Sequence, residues 1–114
     1  MSRLSPKLNR KLMLEHRSQT PDNAGGFQTL WMPLGELWAE VATRSGRDRS
    51  GNAGPISATA YRITVRAAPQ GAESRPQPGQ RFRDGGRAFR IEAVAERDLD
   101  ARFLVCFAEE EVAA

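Results

Sequence analysis

The chain has one cysteine, Cys106, and one histidine, His16. A lone cysteine excludes an intrachain disulfide and fits a reducing compartment. A zinc centre takes three or four protein ligands, and no carboxylate cluster accompanies either residue, so no metal site and no cofactor is expected. A nucleophilic role for Cys106 would need a base beside it in space. Its place between Val105 and Phe107 reads as a packed or interface thiol, and His16 reads as an ordinary strand residue. No apolar run approaches the roughly 18 residues that span a membrane. The charged N-terminus lacks the apolar core of a secretory signal. The glycines at 46, 51 and 54 are not followed by Gly-Lys-Ser/Thr before a helix, so the phosphate-cradling loop of nucleotide hydrolases is absent.

What remains is 114 residues with net charge +3, enough for one domain with a modest core. The charge is uneven. Arg3, Lys7, Arg10, Lys11 and Arg17 stand against Glu15 at one end, while Glu109, Glu110 and Glu111 close the other. Either these ends are solvated or they meet head to tail between copies.

The organising stretch is 58–67. Thr59, Tyr61, Ile63, Val65 and Ala67 alternate with Ala60, Arg62, Thr64 and Arg66. A period of two marks a half-buried strand, here with a dry face and a basic, wet one. Before it lies 44–55, rich in arginine and glycine, which buries nothing to offset the entropy of ordering it.

Elsewhere, Lys11–Arg17 alternates and reads as a first strand. Residues 18–26, with Pro21, Asp22, Asn23, Gly25 and Gly26, read as a chain reversal. Residues 27–33 form a short apolar strand in which Pro33 marks an edge or a strand end, and Gly35 breaks it again. Leu37–Thr43 suits a strand by alternation, although its residues would also make two helical turns; its shortness favours the strand. Two strands around Asp84-Gly85-Gly86 predict a hairpin, because that turn needs positive φ. Phe89, Ile91, Ala93 and Ala95 share one face of the second strand, and a last strand at 102–108 turns Phe103, Val105 and Phe107 inward. The expected fold is all-β: a small antiparallel β-barrel or sandwich of about six strands with long loops. Its expected parts are a basic arm at 1–10, a barrel at 11–109 with a mobile loop at 44–55, and an acidic tail at 110–114.

Arginine pairs well with phosphate and carboxylate through its planar fork. Arg62 and Arg66 on the strand face, and Arg44, Arg47 and Arg49 in the loop, therefore form a solvated face, a subunit contact or a nucleic-acid contact. Trp31 and Trp38 read as core or interface anchors. Stacking on single strands needs several exposed rings on one face, and the aromatics here mostly share the apolar parity.

In order, these features resemble a known family. Leu12-Met13-Leu14-Glu15 precedes Asp22, Gly25-Gly26 and Trp31. Leu37-Trp38-Ala39-Glu40-Val41, a polar loop and Tyr61-Arg62-Ile63-Thr64-Val65-Arg66 follow. Gly79, Arg87, Phe89-Arg90-Ile91, Leu104-Val105-Cys106 and Glu109 close the chain. This order is similar to that of the head-tail joining family, the head-completion or stopper proteins of tailed phages and gene transfer agents. The resemblance spans nearly the whole chain.

It implies a small β-barrel that does no catalysis and assembles as a cyclic ring of six or twelve copies. The implied place is the bacterial cytoplasm during assembly, then the neck of the particle, away from membrane. The implied partners are a portal-bound adaptor, a tail terminator or tail tube protein, and double-stranded DNA in the channel. Arg44, Arg47 and Arg49 would face DNA or the lumen. Arg62, Arg66, Trp38, Arg3, Lys7, Glu109 and Glu110 would meet a neighbouring subunit or partner. From the residues alone, an OB-like module for single-stranded nucleic acid stays open.

Overall fold

The computed structural model describes residues 5–44, 60–98 and 101–111. Its elements are six strands: β1 (Arg10–Pro21), β2 (Phe27–Thr43), β3 (Ala60–Arg66), β4 (Arg81–Asp84), β5 (Arg87–Glu96) and β6 (Phe103–Glu110). All neighbours run antiparallel. The order is β1-β2-β3-β6-β5-β4, and β4 pairs back to β1, so the sheet closes into a ring. The fold is all-β, with no helix among the described residues.

The dry interior follows from alternation. Leu12 and Leu14 of β1, Ala39 of β2, Ile63 and Val65 of β3, and Phe82 of β4 are 0–1% exposed. Phe89 and Ile91 of β5 and Leu104, Cys106 and Ala108 of β6 complete the core. Fully burying each large side chain contributes about 1.5–3 kcal/mol. The β3 pattern stands as read, with Arg62 and Arg66 exposed, except that Thr64 on the basic face is buried. The β4–β5 hairpin turns on Gly85, whose φ of 62° suits glycine. Residues 37–43 are strand.

Four expectations need correction. First, the reversal at 18–26 is confined to 22–26. The Asp22 carboxylate accepts backbone N–H groups of Ala24 and Gly26, which pins the turn and lets β1 run to Pro21. Second, 27–33 and 37–43 are one strand, β2. A bulge absorbs the interruption: Leu14 faces Gly35 and Glu15 faces Pro33, leaving Leu34 as the extra residue. Gly35 has a φ of 144°, and Pro33 lies where β2 has no partner on its other edge, so its missing N–H breaks no ladder.

Third, a second bulge between Ile91 and Ala93 flips the parity of β5. Ala93 and Ala95 point outward, and Val94 packs on the core. Fourth, β6 is inverted. Leu104, Cys106 and Ala108 face the core, while Phe103, Val105 and Phe107 lie on the opposite face. That outer face is itself apolar and partly covered, so the larger residues gave a misleading inward parity.

One part leaves the closed sheet. β4 meets β1 only from Met13 to Glu15, and β3 meets β2 only from Ala39 onward. From His16 to Met32 the two strands pair only with each other. At about 3.3 Å per residue, this ribbon reaches roughly 20 Å beyond the ring.

Candidate partner and nucleic-acid surfaces

The outer face carries a transverse row of cations and aromatics. Lys11 of β1 pairs with Trp38 of β2, and its Nζ stands 5.4 Å from that ring's centroid. Arg66 of β3 lies one position beyond the Ala39–Val65 pair and is therefore next in the row. Arg66 pairs with Phe103 of β6, its Cζ 5.7 Å from the ring. Arg97 approaches the same ring at 5.9 Å. Strand spacing sets the period of such a row at about 4.8 Å. Trp38 is 53% exposed and lines a groove of about 560 Å³ with Leu8, Glu36, Leu37 and Arg66. The arm bounds this groove, since the Lys7 backbone N–H donates to Glu40 Oε2 at 3.1 Å.

At the far end of β3 and β6 the charges are internally matched. Arg87 Nε donates to Glu110 Oε2 at 2.9 Å, and its Nη2 donates to the Tyr61 hydroxyl at 3.1 Å. Tyr61 meets Phe89 edge-on with centroids 5.0 Å apart. The Arg87 hydrogen bond holds the Glu110 carboxyl below its ordinary range, and the same pair raises the Arg87 guanidinium. Arg90 sits 3.0 Å from Glu92 and 3.9 Å from Glu109.

A third cluster fixes the base of the ribbon. Arg81 Nε donates to Glu15 Oε1 at 2.7 Å and Nη1 to Glu111 Oε1 at 3.3 Å. Its Cζ lies 4.2 Å from the centroid of Trp31. Glu15 is 8% exposed, so this pair is largely desolvated.

Of the sequence-predicted residues, the structure brings Trp38 and Arg66 together and sets Lys7 near them. Arg62 stands on the same outer face and pairs with Phe107. Arg44 lies over Phe107 at 5.4 Å, and its N–H donates to Ala60 O, closing the base of 45–59. Arg47, Arg49 and Arg3 lie outside the described residues. Glu109 and Glu110 sit at the opposite end, already engaged by arginines. Sequence reasoning missed Arg81, whose partners lie 30 and 66 positions away. It also did not single out Phe27, Leu30 and Met32 of the apolar run, which stand exposed on the ribbon. His16 Nδ1 lies 3.4 Å from Gln80 Nε2. Cys106 is buried, and burial pushes its thiol up to about 12. No group of three or more metal-ligating side chains occurs among the described residues.

Residues 4–111 match the phage head completion protein family. The chain belongs to that family. A chain from the virion of a native gene transfer agent particle is 51% identical, with a TM-score of 0.79. That match covers 96% of this chain and all of the other. A Shigella flexneri 2a protein known from its solution structure shares the fold, with 19% identity and a TM-score of 0.67 over 94% of this chain and 96% of that one. No curated protein matches. A head completion protein is a structural part of a virion rather than an enzyme, so the surfaces above are read as contact surfaces.

Proposed function

We propose that this head completion protein is a neck protein of a tailed phage or gene transfer agent, stacked as a ring between portal-bound adaptor and tail. The observation that carries this reading is the full-length match to a gene transfer agent virion chain at 51% identity. In this reading the base of 45–59, marked by Arg44, turns toward the channel, and Arg44, Arg47 and Arg49 meet the phosphates of passing DNA. Arg62, Arg66 and Trp38, with the arm residues Arg3 and Lys7, meet a neighbouring subunit or the adaptor. Glu109 stands at the opposite end for another virion protein, while Glu110 stiffens that end through Arg87. A ring needs two different surfaces on each subunit, and the outer row supplies one of them.

The test is deletion of the gene followed by electron microscopy of the particles. Filled heads without tails, or heads that have lost DNA, are expected. Normal tailed particles would overturn the reading.

A second reading is favoured by the row of Lys11, Trp38, Arg66 and Phe103, since cations interleaved with aromatics also suit single-stranded nucleic acid. It requires the free protein to bind oligonucleotides in a salt-sensitive way and to lose binding in R62A/R66A. The neck reading expects weak or no binding before a ring forms.

A further inference from the structure

Four large apolar side chains stand exposed among the described residues. Phe27 (68%), Leu30 (46%) and Met32 (51%) lie on the β1–β2 ribbon, and Trp38 (53%) lies in the groove beside Leu8. A two-stranded ribbon is marginal in water by itself. This one nevertheless has a well-built tip. Asp22 accepts two backbone N–H groups, Asn23 and Gly25 take the left-handed φ values the turn needs, and Pro21 pairs with Phe27. The Arg81–Trp31 stack fixes its base. It is a stiff projection carrying apolar residues into solvent, the signature of a docking element.

The groove is its complement. It is apolar at Leu8, Leu37 and Trp38 and cationic at Arg66, while the Glu36 carboxylate on its wall is met by Lys11 at 3.7 Å. The tip carries Asp22, whose carboxyl those backbone N–H groups hold below its ordinary range. Phe27 opens β2 and Trp38 lies well along it, about 35 Å away at 3.3 Å per residue. The ribbon is continuous strand between them, so it cannot fold back onto its own groove.

We infer that the β1–β2 tip of one copy, Phe27 beside Asp22, seats in the Leu8–Trp38–Arg66 groove of the next copy. This rests on the ring reading and names its joint. Phe27 displaces water from the Trp38 face, and Asp22 approaches Arg66. Leu30 and Met32, three and five positions further on, leave the ribbon by its other face and take no part in this seat. Because tip and groove are different surfaces, the joint repeats from copy to copy and closes a ring when the rotation permits.

The test is a cysteine pair in assembled particles. Cys106 is buried and does not compete. Particles carrying F27C/W38C are oxidised and run without reductant. Multiples of the 12.6 kDa chain are expected, with at most dimers from F27C or W38C alone. Wild-type particles treated with an amine crosslinker report the ring separately. A wild-type ladder with none from the cysteine pair overturns the joint and leaves the ring. No ladder in either removes the ring. A crosslink of F27C to a band of another mass overturns the joint, because the tip then seats on a different virion protein. As a second measurement, D22N, whose amide oxygen can still accept the turn's backbone N–H groups, and R66A should each cut the yield of tailed particles about tenfold, and D22N/R66A should cut it no further, as expected of a charge pair across an interface. A double variant whose loss is the product of the two single losses overturns the pairing.

Discussion

The two halves of β2 are one strand in two environments. From Ala39 to Thr43 it lies between β1 and β3, with Ala39 fully buried and Val41 packed on the core. From Phe27 to Met32 it has β1 alone, and Phe27, Leu30 and Met32 face solvent. The apolar content is similar, so composition does not decide burial. The number of neighbouring strands does. The ring half is held by its own core. The ribbon half is held at its ends, by the Asp22 turn and by Arg81 against Trp31, which leaves its sides available.

The sharpest way to break this contrast is in the ring. Phe82→Ala removes a fully buried ring from β4 and should cost about 3–5 kcal/mol, read as a shift in the urea midpoint of the purified protein. Next is the junction. Arg81→Ala strips Glu15 of its 2.7 Å partner and Trp31 of its stack, leaving Glu15 with Arg83 at 3.8 Å among the described residues. A loss of about 1–3 kcal/mol is expected, together with faster hydrogen exchange confined to 16–32. Equal exchange throughout would show that the junction does not separate the two halves.

A smaller effect is pH-dependent. Arg87 holds the Glu110 carboxyl low in the folded state, so the pair stabilises the protein above the ordinary glutamate range. That stability disappears as pH falls through the depressed value. R87A should therefore be less stable than wild type at neutral pH, and the difference should close in acid; a gap independent of pH would count against the pair. The smallest effect is on the ribbon. F27S and L30S should stay within about 0.5 kcal/mol of wild type in the isolated chain. Tailed-particle yield should fall in F27S while its folding midpoint stays put.

Much of the ring half was legible. Tyr61, Ile63 and Val65 against Arg62 and Arg66, the Asp84-Gly85-Gly86 turn and the order β4-β5-β6 all follow from alternation and turn chemistry. The misses share one cause, that alternation is read as if strands had no bulges and only one apolar face. Pro33 and Gly35 look like a break until a bulge and an unpaired edge accommodate them. The extra residue near Glu92 exchanges Ala93 for Val94. In β6 both parities are apolar, and a closed sheet of small radius takes Cys106 and Ala108 inside rather than two phenylalanines. Of the surface residues, the sequence revealed the arginines but not their company. Lys11, Trp38, Arg66 and Phe103 become neighbours only through register across four strands.

The position of β6 has a consequence for synthesis. It follows the other five described strands in the chain, yet it lies between β3 and β5 rather than at a rim. A nascent chain that has not yet exposed β6 therefore holds β3 and β5 with no strand between them, and the interior stays open to water until β6 emerges. Long-range pairing of this kind makes folding slow. The subunit thus reaches its assembly-competent form only once β6 has emerged, and a chain cut short before Phe103 should be cleared as unfolded protein rather than join a particle as a defective member.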